Sequence, residues 1–306
     1  MSALLALIKR NTKLFFKDKG MFFASLITPV ILLVLYTTFL ANVYKESFAA
    51  ALPQGFAVPE ALLDAAVRGQ LVSSLLAVCC VTVAFCSNML MVQDKVTGAR
   101  GDLTIAPVRP SVLALGYYVS TALTTLIICF VAAGMGFLYL SGKGWYLTGT
   151  DVLLTLLDVF LLVMFGTALS SIINFFLNTQ GQISAVGTIV GAGYGFICGA
   201  YMPISQFGEG LQKTLGFLPG TYGTSLIRNH CLRGAFAEME AQGFPAEAVE
   251  GIRDSIDCNL YFFGERVELG TMYLILGGSV AVLIAAYVLM NVLLKKNCLL
   301  YTSDAA

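Results

Sequence analysis

The chain has 306 residues, 58% of them hydrophobic and only 12% charged, with a formal net charge of zero. Soluble proteins carry about 25% charged residues, so the composition excludes an ordinary soluble enzyme and points to a membrane protein. The basic clusters are few and sit beside apolar runs, which excludes a nucleic-acid-binding surface, so no nucleic-acid partner is expected.

Residues 1–20 read as an interfacial amphipathic helix. At 100° per residue, Leu4, Leu7, Ile8, Leu14 and Phe15 gather on one side, with Lys9, Arg10, Lys13 and Lys17 opposite. That pattern suits a helix lying among lipid headgroups. Six apolar stretches then follow, at residues 21–41, 71–92, 112–140, 152–176, 183–201 and 270–294. Each is long enough for a hydrocarbon core, which takes about 20 residues at about 1.5 Å each. The first apolar run follows a basic segment and is itself long enough to span, so a cleavable signal peptide is not expected. Lys9, Arg10, Lys13, Lys17, Lys19, Lys95, Arg100, Arg109, Lys295 and Lys296 fall on one side of this pattern. Short basic loops stay inside, which predicts a multi-pass protein of the cell membrane with both termini cytoplasmic.

The first span contains Pro29, which removes a backbone donor and is either a hinge or a tolerated membrane proline. Residues 42–70 form an outer cap. Residues 93–110 join the second and third spans and mix both signs of charge with Val96, Leu103 and Ile105, ending in Pro107 and Pro110. This pattern fits either a docking helix for a cytoplasmic partner or a connector whose charges set orientation. In the fourth span Asp151, Thr155, Asp158, Gly166, Ser170 and Asn174 step by threes and fours along the helix. Asp158 lies about 10 Å below the outer end at about 1.5 Å per residue, and a carboxylate at that depth is either functional or a hydrogen-bonding tie between helices.

The fifth span carries Gly187, Gly191, Gly195 and Gly199 at four-residue spacing, a stripe that permits close backbone approach. It breaks at Tyr201-Met202-Pro203. A short helix over residues 206–218 stops at Leu218-Pro219-Gly220, and residues 221–233 resume a mixed pattern. Irregular backbone at membrane depth survives only inside protein or beside a water-filled cavity, so residues 201–233 are predicted to form a broken re-entrant hairpin. An acidic outer loop follows over residues 234–269, with a short helix begun by Pro245. His230 reads as a surface residue. Cys231 and Cys258 are the two cysteines of the outer region and are either bridged or free thiols.

The chain contains no GxxxxGK[ST], HExxH, GxSxG or CxxC motif, so neither catalysis nor a metal site is expected in it. The fold class expected is an all-α membrane protein: six transmembrane helices, the interfacial helix, and the broken hairpin between helices five and six, in one domain over residues 1–306.

Two segments carry a resemblance. The run Lys95-Val96-Thr97-Gly98, continuing to Asp102-Leu103 and Ala106-Pro107-Val108-Arg109, resembles the K-x-x-G-T-x-x-x-L-x-x-x-P-V segment of type-2 ATP-binding-cassette exporter permeases. Gly199 to Ser205, Leu215 to Pro219, Thr221-Tyr222 and Leu226-Ile227-Arg228 resemble that family's G-x-x-x-P-I-S, L-P, T-Y and L-R run. Ala99 departs from the usual threonine, and the acidic outer loop is longer than the family pattern. The resemblance implies a transport subunit, not an enzyme. It would pair with a second permease, a copy of itself or a related chain, within membrane lipid. Two cytoplasmic P-loop ATPase subunits would hold ATP and Mg, leaving this chain without a cofactor. Asp94, Lys95, Val96, Gly98, Arg100, Asp102, Leu103, Pro107 and Arg109 would couple to the ATPase. Ser74, Phe85, Asn88, Met89, Gly187, Gly191, Tyr194 and Gly195 would line the substrate path, closed outside by Tyr201, Pro203 and Pro219. A neutral, aromatic and glycine-bearing path favours a hydrophobic or amphipathic cargo. The rival readings are an ion-coupled secondary transporter that uses Asp158 and a membrane scaffold that binds a peptide at its acidic loop.

Overall fold

A computed structural model of the chain describes residues 2–50, 59–106, 108–142 and 144–303. Pro107 and residues 51–58 of the outer cap lie outside them. Helix α1 (Ala3–Lys17) is capped by the Ser2 side chain. Asp18 ends it and caps α2 (Lys19–Leu35) by accepting from the Met21 N–H at 3.0 Å. A single π-helical turn, Tyr36–Leu40, joins α2 to α3 (Ala41–Ala50). The helix runs through Pro29 without a break.

Helix α4 (Glu60–Val96) has 37 residues and is the centre of the bundle. Its most apolar stretch is 83% buried, against 22% for the α2 span and 17% for the last span, so α4 is walled by protein while those two leave most of their surface uncovered by the chain. Next come the short α5 (Ala99–Ile105), then α6 (Pro110–Ser141), α7 (Gly149–Phe176) and α8 (Gln180–Ile197). A 3₁₀ turn at Ile204–Gln206 leads to α9 (Glu209–Leu215), α10 (Pro219–Ala241) and α11 (Ala246–Ser255). The strands β1 (Leu260–Phe262) and β2 (Glu265–Val267) pair antiparallel, with Tyr261 opposite Arg266, and α12 (Leu269–Ser303) closes the chain. The bundle has a basal end, which carries α1 and α5, and a distal end, which carries α9 to α11.

Five segments are long and apolar enough to cross a membrane: Lys19–Glu46, Glu60–Val96, Pro110–Ser141, Gly149–Phe176 and Leu269–Leu293. The expected fifth span, α8, is not among them. It has 18 residues, and Gln180, Gln182 and its glycines lower its hydropathy. The interfacial helix also differs in its facing. Leu7, Asn11 and Phe15 form the buried stripe, while Leu5, Leu14 and Phe16 are exposed. Asn11 turns inward because its Nδ2 donates to Ser120 Oγ on α6 at 3.3 Å.

Beyond residue 233, where the broken segment was expected to end, α10 continues to Ala241 and is buried along most of its length. It packs on α4, α7 and α12. This corrects the surface reading of His230, which is only 4% exposed. Its Nδ1 lies 2.6 Å from Asp158 Oδ2 on α7, and Tyr273 Oη on α12 donates to Asp158 Oδ1 at 2.5 Å. One carboxylate therefore ties three helices together. Cys231 and Cys258 are both buried free thiols, so the bridge between them is not formed. Cys231 faces Thr155 on α7, with Sγ 3.9 Å from Oγ1. Burial pushes the Cys258 thiol up to about 12.

Candidate functional site

At the basal end the last turn of α4 is held from two sides. Asp94 is buried and accepts a two-pronged hydrogen bond from Arg10, at 2.7 and 2.9 Å, and a third from Tyr117 Oη at 2.6 Å. The hydrogen bond to Asp94 raises the Arg10 guanidinium above its already high ordinary value. Lys95 Nζ donates to the carbonyls of Asn174, Phe175 and Leu177 at 3.1, 2.6 and 2.7 Å. Those groups end α7, where the last carbonyls lack the regular intrahelical donors and the Asn174 carbonyl takes only the Leu177 N–H, at 3.3 Å, from the backbone, so a cation there complements them and the helix dipole together. Asp94 and Lys95, expected as docking contacts, are thus committed within the fold.

Of the residues expected to couple to a partner, those from Val96 onward are less committed to the fold. Gly98 has φ +82, a left-handed turn that favours glycine and lets α5 fold back from α4. Arg100 Nη2 donates to Asn291 Oδ1 on α12 at 3.2 Å, and Leu103 packs half-buried near Tyr117 and Leu7. Asp102 and Arg109 are exposed, as is Val96, and Ile105 is 86% exposed. An apolar side chain projecting from a short, tethered helix is a suitable tooth for a partner's groove.

A cleft of about 1140 Å³ runs along the bundle between α2, α4 and α8. Asp18, Gln93 and Gln180 line its basal end, Ile27, Ile31, Phe85 and Val190 its middle, and Tyr44, Pro203 and Gln206 its distal end. Of the eight expected path residues, Phe85, Met89, Gly187 and Gly191 line it. Ser74, Asn88, Tyr194 and Gly195 do not. Asn88 is fully buried and donates to Ser170 Oγ and Ser171 Oγ at 3.0 and 2.9 Å, a polar tie between α4 and α7. Ser74 faces Arg228, and Tyr194 Oη points at Gly220.

The glycine stripe is filled from within the chain. A Cβ at Gly187 would stand 2.7 Å from Met89 Cε, and one at Gly191 would stand 3.2 Å from Thr28 Oγ1. At Gly195 the Tyr201 ring takes that place, and at Gly199, where φ is +73, the Asp257 carboxylate and Ile204 do. The ring of Tyr201 also meets Phe196 edge-on at 5.0 Å. Of the expected outer gate, Tyr201 and Pro203 therefore stand at the distal mouth. Pro219 starts α10 instead, at the first position of the helix, where its missing N–H costs nothing.

A buried ion pair fastens that mouth. Arg228 on α10 is fully buried; it donates to the Ile256 carbonyl and, at 2.8 Å, to the Gly199 carbonyl, with Asp257 Oδ2 3.6 Å away. Asp257 accepts from the Ile204 N–H at 2.5 Å and the Ser205 N–H at 3.1 Å. Burial pushes its carboxyl above the usual range, against the pull of Arg228 and these two donors. The sequence marked Arg228 only as part of a motif, since its partners come from segments about 30 residues away on both sides.

Among the described residues, no group of three or more His, Cys, Asp and Glu side chains is placed to hold a metal ion. No curated protein matches the chain. Residues 2–231 match the ABC-2 type transporter family, a membrane permease domain that lacks ATPase activity and pairs with ATPase subunits. From α1 to the buried arginine of α10, this multi-pass membrane chain belongs to the ABC-2 type transporter family.

Proposed function

We propose that the chain is the membrane subunit of an ATP-driven exporter for hydrophobic or amphipathic cargo, working beside a second copy or a related permease. Cytoplasmic P-loop ATPase subunits bind at α5, with ATP and Mg held on those subunits. The basal end is cytoplasmic, as are both termini, and α8 serves as the sixth span. The segment from α9 to the start of α10 is re-entrant: Gly220 abuts Phe165, which lies well inside α7, and Tyr194 in the last turn of α8. The observation that carries this reading is the apolar cleft whose lining runs along the bundle from Asp18 and Gln93 to Pro203 and Gln206. Alternating access then follows if ATP binding favours one orientation of α4 and α5 by a few kcal/mol. Asp158 stands away from the cleft with both oxygens engaged, so it ties helices together rather than carrying an ion.

The test is to purify the tagged chain gently from its native cell and assay what accompanies it. A P-loop ATPase should co-purify and hydrolyse ATP, and Ile105→Glu should release it without lowering the melting temperature of the permease. A permease that purifies alone, or an Ile105→Glu variant that keeps its ATPase, would refute docking at α5.

A further inference from the structure

Behind Tyr44, at the distal end of the cleft, lie buried polar groups that find no well-formed hydrogen bond among the described residues. Gln70 on α4 is fully buried, and neither its Nε2 nor its Oε1 makes a hydrogen bond among the described residues. Tyr36 and Tyr44 are also buried, with rings stacked at 5.5 Å, and among the described residues neither hydroxyl makes a well-formed hydrogen bond. The Gln70 amide makes only a weak contact with the Tyr44 hydroxyl, and the Arg228 guanidinium lies within electrostatic reach of both tyrosines. Arg228 has spent its two terminal nitrogens on Ile256, Gly199 and Ser74, and its Nε has no partner among the described residues. Ser74 stands one helical turn from Gln70 on α4.

Buried polar groups are nearly always hydrogen-bonded, and each orphan costs free energy, so four residues left unsatisfied together mark a place where something polar binds. Donors dominate: Gln70 Nε2, the two tyrosine hydroxyls and Arg228 Nε, against Gln70 Oε1 as the one group that only accepts. Tyr44 is also part of the cleft wall, so the cluster adjoins the cleft. Tyr36 opens the π-helical turn, a geometry frequent at functional sites. It lies about 26 Å along its span from Lys19 at about 1.5 Å per residue, which is headgroup depth for a core about 30 Å thick.

We propose that Gln70, Tyr36, Tyr44 and Arg228 form a head-group niche that receives the oxyanion, a phosphate ester or carboxylate, of an amphipathic cargo whose apolar chain lies in the cleft. The proposal rests on the export reading and adds the chemistry of the cargo's polar end.

The test uses the full chain with its ATPase partner in phosphatidylcholine nanodiscs and three probes that share one tail: dodecyl phosphate, dodecanoate and dodecyltrimethylammonium. The two oxyanions should bind about tenfold more tightly than the cation. Gln70→Leu and Tyr44→Phe should each cut that preference by about threefold while leaving the cation's affinity unchanged. Gln70→Leu should not lower the melting temperature, because it deletes a buried amide that has no partner. Competition by phosphatidic acid added to the disc would identify a membrane lipid as the source of the head group; its absence would point to a free amphiphile. Equal binding of all three probes, or oxyanion binding unchanged in Gln70→Leu, would overturn the niche and leave the export reading standing. A Gln70→Leu variant that melts lower and loses all three probes would also overturn it, by making Gln70 a structural residue. If no probe bound the parent, the cleft itself would be lost as a cargo site.

Discussion

Asp257→Ala is the substitution whose consequence the structure defines most sharply. It removes the counter-ion of Arg228, which is fully buried, and the acceptor of the Ile204 N–H. Stranding one member of a buried ion pair costs about 3–5 kcal/mol, and an orphaned buried donor adds about 1–3 kcal/mol. Ser205 is exposed, so its N–H returns to water at little cost. Neighbouring losses overlap, which puts the working figure at about 4–6 kcal/mol. At about 2 °C per kcal/mol for a chain of this size, the melting temperature should fall by about 8–12 °C. Asp257→Asn keeps an acceptor and tolerates the observed φ of 56°, so it should lose less than the alanine variant. The assay is thermal unfolding in detergent at one fixed scan rate, paired with limited proteolysis of residues 206–217, the segment that the clamp holds down. An alanine variant that melts within about 2 °C of the parent, with no new nicking there, would show that the clamp contributes nothing to the distal mouth.

Two further outcomes are expected. Gly191→Leu should abolish export while the chain still reaches the membrane, because the new side chain must displace Thr28 or occupy the cleft between α2 and α8; transport by the variant at the parent rate would remove the cleft from the path. Cys258 should resist maleimide at pH 8, since a thiol pushed up to about 12 is ionised in roughly one molecule in ten thousand there; rapid labelling of the folded protein would show that the loop opens.

Periodicity carries over to the structure wherever an element's role depends on local apolar pattern. The spans at α2, α4, α6, α7 and α12 were legible because each contains a long apolar run. So was the broken backbone after α8, marked by Pro203, Pro219 and Gly220. Pairing across long separations was not legible. Asp94 lies 84 residues from Arg10, and Asp158 lies 72 from His230 and 115 from Tyr273, so a charge beside a membrane end could not be told from one locked inside. The glycine stripe showed that something packs closely along α8. It did not show that four different segments share the task, nor that half of the expected path residues would lie outside the cleft, with Asn88 and Ser74 hydrogen-bonded to other helices. The missed extension of α10 has a simple cause: its sequence alternates polar and apolar residues without the apolar run of a span, and its burial is imposed by α4, α7 and α12.

The length of α4 has a mechanical consequence. One uninterrupted helix of 37 residues is about 55 Å long at about 1.5 Å per residue. It joins the α5 elbow through Gly98, forms one wall of the cleft with Phe85 and Met89, and ends beyond Gln70 and Ser74 beside Arg228. A tilt of ~5° about its basal anchor displaces the opposite tip by ~5 Å over that length. On the proposed export reading such a lever would transmit motion between the two faces of the membrane by rigidity alone, with the Lys95 cap on α7 and the Arg10 clasp on Asp94 as its fulcrum.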